Sequence, residues 1–211
     1  MNIEPQFAYK NITISGLPGC GSTTLLRLLR ETETMQFAGW KGFSGGEFMR
    51  AYAVEKGLFD ANSGHHHAAT VYSDDFDREV DMGMRQKLRE EENWILESWL
   101  SGFLAQQVPG SLKILMQCSD DSVRVDRIIN RDNVSVEAAK QNMLDRYQSN
   151  LKKWQRMYAA EWNEWVVSPG TVPANEPIDF WLPGLYDIVI DTYKLNQYES
   201  LEIVLNAVIK Q

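Results

Sequence analysis

The stretch from Asn11 to Leu25, NITISGLPGCGSTTL, constrains the fold of this chain more than any other. The β-branched residues Ile12, Thr13 and Ile14 predict a strand, Gly16 to Thr23 a glycine-rich loop, and Leu25-Leu26-Arg27-Leu28-Leu29 the first turns of a helix. Such a loop wraps a polyphosphate: glycines let the backbone come close, its N–H groups converge on the anion, and the helix that follows presents its positive dipole end. The spacing fits the phosphate-binding pattern GxxxxGK[ST] at every fixed position but one, because Ser22 stands where the lysine belongs. Gly16, Leu17, Pro18, Gly19, Cys20, Gly21, Ser22, Thr23 and Thr24 are therefore the candidate nucleotide-binding residues. Thr23 keeps the hydroxyl that ligates Mg²⁺ in such loops, so ATP with Mg²⁺ is the expected cofactor pair. The charge that a lysine brings to the β- and γ-phosphates has to come from elsewhere. A tight turn that merely joins strand to helix is the alternative reading.

At 211 residues the chain is long enough for one α/β domain, with or without a small subdomain. No apolar run approaches the length of about 20 residues that crosses a bilayer, and the N-terminus MNIEPQFAYK reads as no signal peptide, so a soluble cytoplasmic protein is expected. The net charge of −8 argues against general nucleic-acid or membrane-surface binding, since no electropositive field gathers polyanions. A small anionic ligand needs only local basic groups. Cys20 and Cys118 predict no structural disulfide, and Cys20 reads as a small loop residue ahead of a redox switch.

After the first helix, Gln36 to Trp40 reads as a second strand. Next, Ser44-Gly45-Gly46 opens a helix carrying Arg50, a suitable place for a second anion. Residues 57–81 lose periodicity and include His65, His66 and His67; three adjacent histidines lack the spacing of a helical or strand metal site, so the segment is expected to be a polar loop. Asn93 to Glu97 reads as a buried strand ending in a carboxylate, where ligands gather in open parallel sheets. Glu97 is thus placed to hold Mg²⁺ or touch substrate, or else to pair with a surface lysine. Leu112 to Cys118 is the next strand, followed by a helix capped within Ser119-Asp120-Asp121 and carrying Arg124, Arg127 and Arg131 on one face. A longer helix capped by Ser135 buries an aromatic stripe and places Arg146, Asn150 and Lys153 on another face, so the two helices read as a basic lid. The stretch 161–184 is a loop too aromatic for disorder, expected to pack on the domain or cover a partner. Tyr186 to Thr192 forms the last strand, and Asn196 with Glu199 a capping pair.

With these segments placed, the chain resembles the cytidylate-kinase-like nucleoside monophosphate kinases, the carriers being ITISGLPGCGSTT, FSGGEFMR, DREVD (Asp77 to Asp81), ILESWLSG, VRVDRIINRD, the Arg146 to Tyr158 helix and YDIVIDT, in family order. The resemblance implies a P-loop NTPase-type three-layer α/β fold: a five-stranded parallel sheet flanked by helices, with an acceptor-binding region over about 44–92 and a helical lid over about 124–158. It implies transfer of the γ-phosphoryl group of ATP to a nucleoside monophosphate. Ser44, Arg50, Asp77, Glu97 and Trp99 would bind the acceptor, Thr23 and Glu97 the metal, and Arg131, Arg146 and Lys153 would be the catalytic lid cations. One departure concerns the acceptor: the family motif LEGRLAG reads Leu96-Glu97-Ser98-Trp99-Leu100-Ser101-Gly102 here, so Trp99 replaces a cation and either stacks on a base or fills core. Loss of the loop lysine and of that arginine motivates a rival reading, a catalytically weak nucleotide-binding module whose 161–184 segment binds a protein partner.

Overall fold

The computed structural model describes residues 5–55 and 72–210. The histidine run 65–67 lies outside them. Five parallel strands form one sheet in the order β2-β3-β1-β4-β5: β1 (Asn11–Gly16), β2 (Lys41–Ser44), β3 (Trp94–Glu97), β4 (Ser111–Gln117) and β5 (Ile188–Asp191). Every residue of β1 is buried, as a central strand covered on both faces requires. Alternation along the strands divides the apolar residues between two cores. Ile12, Ile14, Ile95, Ile114 and Met116 join the cluster under α1 (Ser22–Glu31) and α9 (Gln197–Val208). Leu96 and Leu115 join the cluster on the opposite face, built with α4 (Asp74–Glu90), α5 (Ser101–Leu104) and the end of α7 (Val136–Met157). The result is the expected three-layer P-loop fold. None of the described helices is long and apolar enough to cross a membrane.

Local sequence sets the helix boundaries. Ser73, Asp120 and Ser135 accept hydrogen bonds from first-turn N–H groups of α4, α6 (Asp121–Asp132) and α7, and Asn196 with Glu199 forms a capping box at α9. Acids in those first turns complement the helix dipole. The helix α1 differs, because its N-cap Gly21 offers no side chain and its first turn holds no acid. Its end is left open toward the loop that precedes it.

Two expectations are corrected. Residues 36–40 are not a strand: Glu33–Phe37 winds into α2, which buries Met35, and Gly39 at φ +74° turns the chain so that β2 begins at Lys41, paired with Trp94. Beyond the end of α2, Trp40 is buried with its ring edge-on to Phe7 at 5.3 Å, while Phe37 faces solvent. The aromatic stretch beginning at 161 is not loop throughout. Helical structure runs on through α8 (Ala159–Trp162) and a wider turn over Asn163–Val167, and a single 3₁₀ turn forms at Pro183–Leu185.

Burial explains that second difference. Trp162, Trp165, Phe180 and Trp181 are buried around Phe103 of α5, whose ring lies 4.8 Å from Phe180 and 5.3 Å from Trp165. The segment thus packs on its own domain, and these rings form no exposed surface for a partner. Glycine at 102 permits the arrangement: a Cβ there would come within 2.2 Å of the Tyr186 ring, whose hydroxyl donates to the Phe180 carbonyl at 2.7 Å.

Candidate active site

The loop between β1 and α1 follows the edge of a cleft of about 1140 Å³, lined on the loop side by Gly16, Leu17, Pro18, Gly19, Gly21, Ser22, Thr23 and Thr24. Gly19 and Gly21 have φ of +83° and +88°, and a Cβ at Gly19 would meet the Arg124 carbonyl oxygen at 2.9 Å. Glycine is needed there for conformation and for close approach. The cradle is held from behind. Arg124 Nε donates to the Pro18 carbonyl at 3.3 Å, and Arg127 donates to the Gly19 carbonyl at 3.0 Å and to Thr192 Oγ1 at 2.7 Å. The Thr192 hydroxyl also lies 3.3 Å from the Cys20 carbonyl and 3.1 Å from that of Gln117. With carbonyls tied outward, the loop is preorganised to turn N–H groups inward. Cys20 contributes backbone only: its thiol is buried in the core beneath the loop, and burial raises its pKa.

Ser22, at the lysine position, donates to Glu97 Oε1 at 2.8 Å, and Ser44 donates to Glu97 Oε2 at 2.6 Å. One carboxylate at the end of β3 thereby joins the nucleotide loop to the start of α3 (Gly45–Glu55). Burial raises the Glu97 pKa, while the hydroxyls of Ser44 and Ser22 favour its ionised form. Among the described residues Glu97 meets these two hydroxyls and no surface lysine, the alternative left open by sequence. The donor set for a metal is sparse: Thr23 is exposed on the cleft, Glu97 lines it, and no group of three or more His, Cys, Asp or Glu side chains among the described residues could hold a metal ion. That set fits Mg²⁺ arriving with a nucleotide, which takes one or two carboxylates plus phosphate oxygens.

Across the cleft lie Arg50 of α3, Arg131 of α6 and Arg146 of α7. Arg131 is paired with Asp132 through two contacts of 2.8 and 2.7 Å. Arg146 is largely buried, its Nε has no hydrogen-bond partner among the described residues, and its guanidinium lies 5.3 Å from the centre of the Trp99 ring. Desolvation, aided by the nearby charges of Arg131 and Arg50, pushes its pKa down to about 10. A desolvated guanidinium beside like charges costs free energy that an anion offsets.

A smaller chamber of about 110 Å³ opens beside the cleft and shares Gly46, Arg50, Ser98, Trp99 and Arg146 with it. Asp77 lines this chamber. Lys153, expected among the lid cations, is not part of the cleft: α7 turns it toward α4, where it donates to Asp77 Oδ2 at 2.7 Å and to the Tyr72 carbonyl at 2.9 Å in a buried pair. Trp99 packs edge-on against Trp154 and Trp181, as a core residue does, and it also lines cleft and chamber. Arg124 and Arg127, read from sequence with Arg131 as one basic lid face, serve the loop carbonyls instead. Thr192, which helps hold the loop, carried no such signal beyond its place at the end of a strand.

A family model described as an AAA domain matches residues 12–157. A cytidylate kinase of Methanosarcina barkeri is 33% identical over 198 residues, which is 93% of this chain and 95% of that protein. One from Methanopyrus kandleri is 30% identical over 205 residues, 93% of this chain and 92% of that protein. Among solved structures, an uncharacterized protein from Eubacterium ventriosum shares the fold with a TM-score of 0.56 at 15% identity, covering 93% of this chain and 96% of that one. Relatives matched over nearly their whole length, a glycine loop of the P-loop type and a five-stranded parallel sheet together show that this chain belongs to the cytidylate-kinase-like family of P-loop kinases.

Proposed function

We propose that the protein transfers the γ-phosphoryl group of ATP, with Mg²⁺, to a nucleoside monophosphate of the cytidylate type. The observation that carries this reading is the convergence of Arg50, Arg131 and the desolvated Arg146 on the same cleft as the glycine cradle. Residues 16–24 hold the donor polyphosphate, and Thr23 with Glu97, the latter through water, holds the ion. Mg²⁺ held there would supply charge neutralisation for the donor phosphates. Ser44 and Arg50 receive the acceptor phosphate beside Glu97. Arg146 and Arg131 face the transferring group and take the part that a loop lysine plays elsewhere. Lys153 fixes Asp77 rather than reaching phosphate. The attacking atom is an anionic phosphate oxygen, so alignment and charge neutralisation suffice and no general base is required.

The test is a panel of nucleoside monophosphates assayed for ATP-dependent diphosphate formation. A pyrimidine monophosphate is expected to give the highest kcat/KM, with no turnover when Mg²⁺ is chelated. ATP binding without turnover on any monophosphate would contradict the assignment and favour a nucleotide-binding module.

A further inference from the structure

The serine at the lysine position does more than omit a charge. Ser22 opens α1 and is 8% exposed, whereas Thr23 beside it is open to the cleft. A serine at a helix start commonly caps the backbone, but here Gly21 holds the N-cap position and the Ser22 hydroxyl reaches across to the end of β3. A hydroxyl has one proton to donate. Ser22 gives it to Glu97 Oε1 at 2.8 Å, so its side chain has none for a phosphate oxygen while that bond stands.

Glu97 is gripped from two sides. Ser44 lies opposite it in the β2–β3 register and donates to Oε2 at 2.6 Å, and the Ser44 oxygen is fixed in turn by the Glu47 N–H of α3 at 3.3 Å. The start of α3 sits close on the end of β3: a Cβ at Gly45 would lie 3.1 Å from the Ser98 Cβ and 3.6 Å from the Glu97 carbonyl oxygen. That side of the grip belongs to the frame of the sheet. The other side, from the nucleotide loop, is the Ser22 hydroxyl. Glu97 is 6% exposed, so an oxygen that lost its donor would be left buried and unmatched, and the carboxylate would turn about its remaining bond.

We propose that Ser22 is a positioning residue: its hydroxyl aims the Glu97 carboxylate at the water through which that carboxylate holds Mg²⁺. The proposal rests on the reading of residues 16–24 and Glu97 as the site of a nucleotide with its ion. The missing lysine is then replaced in two parts, its charge by the arginines across the cleft and its hold on the donor's geometry by Ser22 acting through Glu97. Removing a partner that orients a metal's ligand lowers metal affinity or activity by about 10–100-fold. Glu97 acts through water, one step further from the ion, so the lower end of that range applies. Threonine at 22 keeps the hydroxyl, and alanine removes it with almost no change of volume.

The experiment measures ATP affinity by calorimetry, once with excess Mg²⁺ and once with EDTA in its place, for the wild type, Ser22→Ala and Ser22→Thr, with thermal melting as the check on folding. The quotient of the two affinities reports what the ion adds to binding. It is expected to fall about 10-fold in Ser22→Ala and to return in Ser22→Thr. The Mg²⁺ concentration that half-saturates the effect should rise in Ser22→Ala by the same factor. A hydrogen bond that only braces the fold would lower the melting temperature, or both affinities together, and leave the quotient at its wild-type value; that result overturns the proposal. So does a fall that Ser22→Thr fails to restore. If Ser22→Ala does not fold, Ser22→Cys, close in shape and a weaker donor, takes its place with the same two outcomes. A wild type whose ATP affinity ignores Mg²⁺ ends the proposal together with the metal assignment. Every readout here is binding, so a quotient that falls and returns as expected upholds the proposal even in a protein that phosphorylates no monophosphate, where the kinase reading would fail by itself.

Discussion

Arg146→Ala is expected to lower kcat by about 10³–10⁵-fold, the worth of an arginine contact to a transferring phosphoryl group, while ATP affinity changes little. In the proposed mechanism the donor is held chiefly by backbone from residues 16–24, where the Pro18, Gly19 and Cys20 carbonyls are met by Arg124, Arg127 and Thr192 and not by Arg146. Arg146 lines the cleft with Arg131 and Arg50, and the nearby acid Asp132 is already engaged by Arg131, so in the proposed mechanism its charge is most strongly compensated when negative charge spreads over the transferring oxygens. Arg131→Ala should cost less, because Arg131 is half exposed and already shares its charge with Asp132. Stability follows the opposite sense: removing Arg146 relieves its desolvation and its repulsion with Arg131 and Arg50, so the melting temperature should hold or rise. Steady-state kinetics paired with calorimetric ATP titration separates the effects. An affinity loss as large as the kcat loss would assign Arg146 to ground-state binding.

Phe103→Ala is expected to cost about 3–5 kcal/mol, seen in scanning calorimetry as a fall in melting temperature of roughly 10 °C. Phe103 is fully buried, and the rings of Phe180, Trp165, Tyr158 and Trp162 surround it at 4.8, 5.3, 5.9 and 6.3 Å. Four aromatic rings from two stretches of chain, 158–165 and 180, cannot all collapse into the space left by one. Because α5 lies directly after Trp99, the acceptor side of the cleft should loosen as well, raising the acceptor KM before ATP affinity changes. A loss below about 1 kcal/mol would mean that the cluster repacks, and that the segment after α7 is not anchored by Phe103.

Much of the sheet was readable from local pattern. Ile12 and Ile14 alternate with Thr13 and Ser15, and the loop that follows has glycine at Gly19 and Gly21, where a left-handed backbone demands it. Capping residues gave the starts of α6, α7 and α9, since a cap is a contact between near neighbours in the chain. What stayed hidden depends on partners distant in sequence. Lys153 looks like a lid cation along its own helix and becomes half of a buried pair only when α4 brings Asp77 against it. Arg127 and Thr192 lie 65 residues apart and acquire a shared task once β5 ends beside the glycine loop. The strand expected at 36–40 failed for a local reason, because Met35 is better buried by one turn of helix and Gly39 then reverses the chain before β2 begins.

We propose that a glycine cradle without its lysine still supports phosphoryl transfer because arginines across the cleft supply the missing charge. Single-turnover transfer of labelled γ-phosphate from ATP, followed with excess enzyme, CMP and Mg²⁺, tests it most directly. The label is predicted to move from ATP into CDP in the wild type, and to move far more slowly in Arg146→Ala with ATP still bound. Label that remains in ATP in the wild type, that appears as inorganic phosphate, or that reaches CDP equally fast without Arg146 would contradict the account.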